Sequence, residues 1–200
     1  MIENLLEIDR SVLIFLNNLG SESFDFLWLI ITKQLNWTPF FILLGFLIYK
    51  KNGIKNLGII IILTSILLTV GNESVEFVKH TTQRLRPCND EFVRTLIRVV
   101  KPSQSFSFFS GHATNSMSTM VFVFMVLRKY YRYSLLIFLY PLIFAYSRIY
   151  LGLHFPSDIL TGYFFGASLG FLFYKIYELI TIKYFSTKAP RLRSVRQDDN

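Results

Sequence analysis

The chain has 200 residues, 52% of them hydrophobic, and a mean hydropathy of +0.41, which is too apolar for an ordinary soluble fold. Its net charge of +8 comes from 21 basic and 13 acidic residues. These cations flank apolar stretches and no recognition motif accompanies them, so we set nucleic-acid binding aside. The single cysteine, Cys88, excludes an intramolecular disulfide.

Residues 1–35 are predicted to form interfacial or re-entrant helices. At the start of the chain, apolar side chains share one helical face and charged ones lie opposite, which indicates an amphipathic helix in the membrane interface. The apolar face consists of Leu5, Ile8, Val12, Phe15, Leu16 and Leu19. Residues 24–32 are apolar but too few to cross a bilayer alone. They form a re-entrant segment or join the next span, and both alternatives stay open.

Apolar segments between residues 36 and 182 are predicted to cross the membrane. They cover residues 36–49, 57–78, 111–127, 134–151 and 156–182, the first being the shortest. Lipid satisfies no exposed backbone groups, and the alternating pattern of a membrane barrel is absent, so each segment is predicted to be a helix. The predicted fold class is all-α: an integral-membrane helical bundle of five or six transmembrane helices with an amphipathic N-terminal helix. Residues 36–182 form its core.

Charge placement predicts the orientation of the chain. The connectors at residues 50–55 and 128–132 and the tail at residues 183–200 are basic, which places them in the cytoplasm. The C-terminus is therefore predicted to be cytoplasmic, in a multi-pass protein of the cell (inner) membrane. The segments at residues 79–110 and 148–155 then face the non-cytoplasmic side. The first of these segments is also rich in cations, which favours an anionic substrate there.

Two polar clusters interrupt the apolar pattern in the middle of the chain, and such groups are expensive at membrane depth. Lys79 ends a predicted span and Arg86 follows seven residues later; an arginine fork matches phosphate oxygens and a lysine adds a point charge. Ser110, Gly111 and His112 begin another helix, whose free amides and dipole attract anions. Taken singly, each cluster has a structural alternative. Lys79 and Arg86 could be cations that snorkel at the end of a helix. Ser110 could be an ordinary helix cap that a histidine follows by chance.

A third cluster combines Ser147 and Arg148 at the end of one span with His154 and Asp158 at the beginning of the next. Pro156 is predicted at the first position of that helix. A carboxylate bonded to one imidazole nitrogen fixes the tautomer and leaves the other nitrogen free to attack. The structural alternative is an interfacial histidine and an acid that balances the helix dipole.

In this order and spacing the clusters resemble the type 2 phosphatidic-acid phosphatase and vanadium haloperoxidase superfamily, in its bacterial membrane lipid-phosphatase branch. The first family motif is a lysine, six arbitrary residues and then Arg-Pro, and residues 79–87 match it. The third is Ser-Arg, five residues, a histidine, three residues and an aspartate, and residues 147–158 match it. The motif Pro-Ser-Gly-His reads Phe109-Ser110-Gly111-His112, so phenylalanine replaces a proline that supplies no chemical group. The resemblance covers residues 57–182.

The resemblance implies a role for each motif residue. His154 attacks phosphorus and forms a phosphohistidine, and Asp158 orients its imidazole. His112 protonates the leaving oxygen and then activates the water that hydrolyses the intermediate. The phosphate oxygens are held by Lys79, Arg86, Ser110, Gly111 and Arg148. Three cations supply the electrostatic clamp, so no metal or other cofactor is expected.

The predicted function is hydrolysis of a phosphate or diphosphate ester on a membrane lipid, with the bilayer and a lipid phosphate as partners. Undecaprenyl diphosphate is the first candidate, because a small chain with an outside-facing site suits carrier-lipid recycling. Arg84 could contact its second phosphate. Phosphatidylglycerol phosphate, phosphatidic acid and lipid A phosphates remain open. The alternatives are a phosphotransferase with an alcohol acceptor and a non-catalytic protein that binds anionic lipid.

Overall fold

The computed structural model describes residues 2–185, and that part of the chain folds into helices without strands. The helices are α1 (Ile2–Asn18), α2 (Glu22–Ile31), α3 (Thr38–Thr82), α4 (Gly111–Leu127), α5 (Leu139–Tyr150) and α6 (Pro156–Phe185). Short 3-10 turns cover Gln34–Trp37, Pro87–Asn89, Val93–Thr95 and Ser134–Phe138. The all-α prediction is confirmed for these residues. Of the predicted basic tail, residues 183–185 continue α6 and residues 186–200 lie outside the described residues.

Helix α3 folds back on itself at Gly53. This residue has φ 77° and ψ 170°, a backbone conformation that favours glycine. Gln34 and Phe41, ahead of the break, line the same cavity as Val75 and Lys79 near the end of the helix. The single helical run is therefore a hairpin of two segments, residues 38–52 and 54–82, which correspond to two separately predicted spans.

Helix α4 forms the centre of the bundle, because it packs against α3, α5 and α6. Its buried side chains are both apolar, such as Met120 and Phe122, and hydroxylic, such as Ser116 and Ser118. Ser116 donates a hydrogen bond to the carbonyl of Ala113 one turn earlier, which satisfies its hydroxyl within the helix. A helix of this kind is stable in the core without being uniformly apolar.

Three glycines of α6 allow it to approach α4 at backbone distance. Gly162, Gly166 and Gly170 are spaced four residues apart and lie on one face of the helix. A Cβ atom at Gly162 would lie 2.8 Å from the carbonyl oxygen of Ser110. At Gly166 it would collide with the carbonyl of Thr114. This close crossing, typical of small residues in membrane helices, sets the start of α4 against the start of α6.

We expect Gly166→Ala to destabilise the protein by about 1–3 kcal/mol, the usual cost of overpacking, because the added methyl meets backbone that cannot give way. Thermal unfolding of the detergent-solubilised protein measures this. Gly58→Ala is the matched control, since a Cβ there meets nothing within 4 Å and alanine favours a helix. Equal unfolding temperatures for the two variants would contradict the close crossing.

The N-terminal helix α1 is docked by a few polar side chains and turns its apolar face outward. Asn17 is fully buried, and its amide donates to the carbonyls of Ile149 and Tyr150 at 3.0 and 2.9 Å. Its Oδ1 accepts from the backbone N–H of Arg98 at 2.7 Å. The exposed residues of the predicted apolar face are Leu5, Ile8, Val12, Phe15 and Leu19. Leu16, the sixth member, instead packs partly buried beside Leu13.

By length and composition, two helical stretches of the described residues could cross a membrane, Gln34–Thr95 and Pro156–Lys183. The apolar stretch Ser134–Tyr150 is shorter. Helix α4, with 17 residues, is roughly 26 Å long at its normal rise. Large apolar side chains are exposed around the bundle, among them Ile42, Phe46, Ile62, Phe164 and Leu172. A bilayer would cover such a surface.

Candidate active site

His154 and Asp158 meet where α5 turns into α6. His154 lies in the connecting turn, and Asp158 lies in the first turn of α6 behind Pro156. The Nδ1 atom of His154 is 3.4 Å from Oδ2 of Asp158. This oxygen also accepts a 2.8 Å hydrogen bond from the N–H of Phe155 and another from the hydroxyl of Ser107. Both members of the pair are fully buried, so the imidazole is held in one orientation.

The other imidazole nitrogen of His154 faces Arg86, whose Nη1 is 3.1 Å from Nε2. A guanidinium has only donors, so Nε2 accepts this bond and the ring proton is on Nδ1, toward Asp158. Burial lowers the pKa of His154 to about 3; the bond to Asp158 opposes this shift and the charge of Arg86 adds to it. The imidazole is therefore neutral near pH 7, with its lone pair on Nε2.

We expect the buried imidazole of His154 to make stability depend on pH. Its pKa is near 6.5 in the unfolded chain and about 3 in the fold, so the unfolded state binds more protons between these values. This contribution to stability is complete above pH 6.5 and is lost as the pH falls toward 3. Unfolding of wild type and His154→Asn, measured from pH 7 to 4, isolates the effect. As the pH falls, the free energy of unfolding should decrease more for wild type than for the variant. An equal dependence on pH in both proteins would contradict the lowered pKa of His154.

Arg86 is held rigidly by loop backbone on both sides. Its Nε donates to the carbonyl of Ser105 at 2.8 Å and its Nη2 donates to the hydroxyl of the same residue at 2.8 Å. Nη1 also donates to the carbonyl of Leu153 at 2.9 Å. These bonds fix the guanidinium against the turn that carries His154, so that its charge stays beside Nε2.

The two other predicted phosphate-binding cations have contrasting partners. Lys79, at the end of α3, donates to Oε1 of Glu76 at 2.7 Å. Arg148, at the end of α5, donates from Nη1 to the hydroxyl of Thr32 at 2.6 Å. The Nε of Arg148 is buried and has no hydrogen-bond partner among the residues that the structure describes, and the whole residue is only 7% exposed. A buried donor of this kind is costly unless a ligand oxygen accepts from it.

The start of α4 is bonded directly to the start of α6. The backbone N–H of Ser110 donates to the carbonyl of Asp158 at 3.0 Å, and the Ser110 hydroxyl accepts from the N–H of Ala113 at 3.4 Å as a helix cap. Gly111 follows at the first helical position. The His112 ring then stacks on Phe144 of α5 with centroids 5.0 Å apart. The second motif and the third are thus brought together although they are far apart in sequence.

A cavity of about 500 Å³ extends from this region between α3, α4 and α5. Lys79, Gly111 and His112 line one part of it. Further along, its wall includes polar side chains of two helices: Thr64, Asn72, Asn115, Ser116 and Thr119. Arg86, Arg148 and His154 are almost completely buried and are not among the residues that line it. The cavity is large enough for a headgroup, and of the motif residues Lys79, Gly111 and His112 line it.

Sequence reasoning missed several polar residues around the pair. Ser105 and Ser107 bind Arg86 and Asp158 from the loop between α3 and α4, where spacing carries no periodic signal. Thr32 reaches Arg148 from the end of α2. Arg84 was considered for a second phosphate, but its guanidinium donates to Asp158 and Asp9 at 2.7 Å each. Asp9 gave no separate signal in the sequence, because Glu7 and Arg10 are charged neighbours in the same amphipathic segment.

Comparison with known proteins gives a consistent result. The model of the PAP2 superfamily matches residues 53–182. A Lipid A 4'-phosphatase of Bacteroides thetaiotaomicron is 30% identical over 187 residues, covering 92% of this chain and 83% of that protein. An undecaprenyl-diphosphatase of Sulfolobus acidocaldarius is 26% identical over 174 residues, covering 87% and 73%. The crystal structure of a transmembrane PAP2-type phosphatidylglycerolphosphate phosphatase from Bacillus subtilis shares the fold, with a TM-score of 0.65, 20% identity, and coverage of 95% and 90%.

Proposed function

The chain belongs to the PAP2 superfamily, and on this premise we propose that it is a membrane lipid phosphatase that works through a phosphohistidine at His154. The observation that carries the proposal is the environment of that imidazole. Its Nδ1 faces Asp158 and its Nε2 accepts from Arg86, so the neutral ring presents a lone pair beside a cation. This is the arrangement of an activated nucleophile at an anion site.

In the first chemical step, the Nη1–H of Arg86 turns from Nε2 of His154 to a phosphoryl oxygen, which frees the lone pair of Nε2. Nε2 then forms a bond to phosphorus and the bond from phosphorus to the leaving oxygen breaks. His112 enters this step as the imidazolium, gives one proton to the leaving oxygen and becomes neutral. The Nδ1 proton remains hydrogen-bonded to Asp158, whose carboxylate stabilises the positive charge that develops on the ring. Arg86 stays beside the phosphoryl group through its bonds to Ser105 and Leu153.

In the second step, a water molecule attacks phosphorus while His112 accepts one of its protons. The bond between Nε2 and phosphorus breaks, inorganic phosphate leaves, and His154 returns to its neutral form. Lys79, Arg86 and Arg148 hold the phosphoryl oxygens through both steps. Preorganised charges of this kind account for much of the rate acceleration in phosphoryl transfer. The Nε of Arg148, which is buried and unpaired within residues 2–185, is suited to such an oxygen.

The cavity supports a phosphate monoester on a headgroup that carries hydroxyl or amide groups. Along α4, His112, Asn115, Ser116 and Thr119 recur with helical spacing and line the cavity. A polyprenyl or acyl chain directly below the phosphate would gain nothing from such a wall, whereas a sugar could form hydrogen bonds to it. Arg84 is engaged by two carboxylates, which weakens the case for a second phosphate.

We therefore place a lipid A type of saccharide phosphate first and undecaprenyl diphosphate second, the reverse of the order that the sequence suggested. The 30% identical relative is named for the former and the 26% identical relative for the latter. Phosphatidylglycerol phosphate ranks lower because its headgroup glycerol offers a single hydroxyl to the polar wall. Phosphatidic acid ranks last because the ester groups next to its phosphate offer no hydrogen-bond donor.

For topology we propose five crossings, at residues 38–52, 54–82, 111–127, 134–150 and 156–185, in the inner membrane. The two predicted cytoplasmic connectors are adjacent: Lys51 lies over the ring of Tyr131 at 5.8 Å, and the Tyr131 hydroxyl donates to the carbonyl of Leu47. The active site then lies at the opposite, non-cytoplasmic end and the C-terminus in the cytoplasm. Residues 1–35 lie in the interface on the side of the site.

The test is phosphate release by detergent-purified protein from lipid A, undecaprenyl diphosphate, phosphatidylglycerol phosphate and phosphatidic acid, with EDTA present. We expect release from lipid A to be fastest and to survive EDTA, because side chains supply the clamp. Phosphate found on an added alcohol would indicate a phosphotransferase. No release from any of the four lipids would refute the proposal and favour a protein that only binds anionic lipid.

A further inference from the structure

A mostly buried ionic network connects the N-terminal helix to the His154 pair. Arg84 bridges two carboxylates, donating from Nη1 to Oδ1 of Asp158 and from Nη2 to Oδ2 of Asp9, each at 2.7 Å. Its guanidinium also lies over the ring of Phe155, with its central carbon 4.1 Å from the ring centroid. The side chains of Arg84 and Asp9 are 23% and 8% exposed, so water weakens these contacts little.

Asp9 reaches the network from another element and also binds the beginning of α6. Its Oδ1 accepts from the backbone N–H of Ser157 at 2.8 Å, and its Oδ2 accepts from the Ser157 hydroxyl at 2.5 Å. The first N–H groups of a helix lack partners within it, so a carboxylate there is favourable. Asp9 thus fastens α1 to the turn of α6 that carries Asp158.

The two carboxylate oxygens of Asp158 have different hydrogen-bond partners. Oδ2 faces Nδ1 of His154 and accepts from Ser107 and Phe155, whereas Oδ1 accepts from Arg84. The carboxylate plane is therefore fixed from both ends. Without the bond at Oδ1 the group could rotate, and the direction of the imidazole would follow it.

We propose that Arg84 and Asp9 are positioning residues of the reaction, which hold Asp158 so that Nε2 of His154 points at phosphorus. This rests on the proposed function. Asp9 lies ahead of residues 53–182, the part that the family model matches. Through Asp9, helix α1 contributes a residue to the active site. The apolar face of α1 is exposed at the same time, so the helix connects the surrounding lipid to the catalytic pair.

The experiment compares Arg84→Gln and Asp9→Asn with wild type in steady-state kinetics. A misplacement of about 1 Å costs on the order of 10²-fold, so we expect kcat to fall roughly 100-fold for Arg84→Gln and roughly 10-fold for Asp9→Asn. KM should stay within about twofold, because neither residue contacts phosphate. The double variant should be no slower than Arg84→Gln, since both act through one network. Asp9→Glu, which keeps the carboxylate, should recover most of the activity.

A second ion pair provides the matched control. Asp25 of α2 accepts from Arg98 at 2.8 Å, and their side chains are 26% and 25% exposed. This pair also joins an N-terminal helix to the loop between α3 and α4, but its third partner is the Tyr150 hydroxyl and not Asp158. We expect Asp25→Asn to keep kcat within about twofold of wild type. An equal fall in kcat for Asp25→Asn and Asp9→Asn would show that the network of Asp9 and Arg84 only stabilises the fold, and would overturn the proposal.

Nitrogen NMR of protein labelled at its three histidines provides a readout that needs no turnover. Wild type should show one buried imidazole with its proton on Nδ1, assigned to His154 by the His154→Asn variant. In Arg84→Gln this signal should broaden or move toward a mixture of tautomers. An unchanged signal would contradict positioning even if activity fell. Absence of phosphatase activity in wild type would refute the proposed function, and the NMR comparison would still decide the positioning.

Discussion

His154→Ala is expected to reduce phosphate release by at least about 10⁴-fold, because removal of a nucleophile leaves only binding and electrostatic stabilisation. The side chain is fully buried, and its Nε2 is the acceptor that faces Arg86. Single-turnover kinetics with excess enzyme measures the chemical step without interference from product release. KM should change little, since the three cations remain.

The matched control for this variant is His80→Ala. His80 is exposed, follows Lys79 directly, and makes only an edge contact with Phe106 among the ring contacts of the described residues. Its loss should change the rate by less than about twofold. His154→Gln, which keeps a polar group near Arg86, separates loss of chemistry from loss of folding. A His154 variant that folds and retains more than about 1% of the rate would contradict the nucleophile.

His112→Asn is expected to slow hydrolysis of the lipid substrate by about 10²–10⁴-fold, the usual contribution of a general acid. His112 lines the cavity and is stacked on Phe144, so its ring is placed to reach a leaving oxygen. The loss should depend on the leaving group. A nitrophenolate leaves without protonation, so 4-nitrophenyl phosphate should lose far less rate in the first step than the lipid.

The rates of phosphoenzyme formation and hydrolysis separate the two roles of His112. With the nitrophenyl ester, formation should remain fast while hydrolysis becomes slow, because the water then lacks its base. A burst of nitrophenolate followed by a slow steady rate is the expected trace. Equal loss with both substrates and no burst would show that His112 only supports the cavity.

Much of the site could be predicted because its residues lie at fixed spacings within or beside helices. The prediction of a PAP2-type phosphatase rested on three motifs and is confirmed. His154 and Asp158 are separated by one helical turn, and Pro156 marks the start of the helix between them. The roles of the motif residues in catalysis remain predictions, although Arg86, His154 and Asp158 are found together.

The parts that could not be predicted depend on packing between distant segments. Arg84 was a candidate for a second phosphate because its charge stood near the first motif; its carboxylate partner Asp9 lies 75 residues earlier. The α4–α6 crossing was missed although Gly162, Gly166 and Gly170 give a visible four-residue repeat. The loop that carries Ser105 and Ser107 has no periodicity, so its contacts follow only from the fold.

The number of spans shows the limit of hydropathy. The segment at residues 36–49 was predicted as a short separate span, and it corresponds to the first arm of a hairpin that breaks at Gly53. Helix α4 is enclosed by its neighbours and can therefore include hydroxyls that lower its hydropathy. Of the described residues, two stretches qualify as spanning helices by length and composition. The proposal of five crossings therefore rests on how all the helices pack together and not on the hydropathy of each one.

The most direct test of the central proposal is to trap the covalent intermediate. His112→Asn is mixed with 4-nitrophenyl phosphate, quenched in alkali within the burst, digested, and examined by mass spectrometry. We predict one phosphoryl group on the peptide that contains His154, attached at Nε2, stable in alkali and lost in acid, and absent when His154 is also replaced. A burst with the phosphoryl group on another residue, or turnover with no alkali-stable adduct, would contradict the phosphohistidine route.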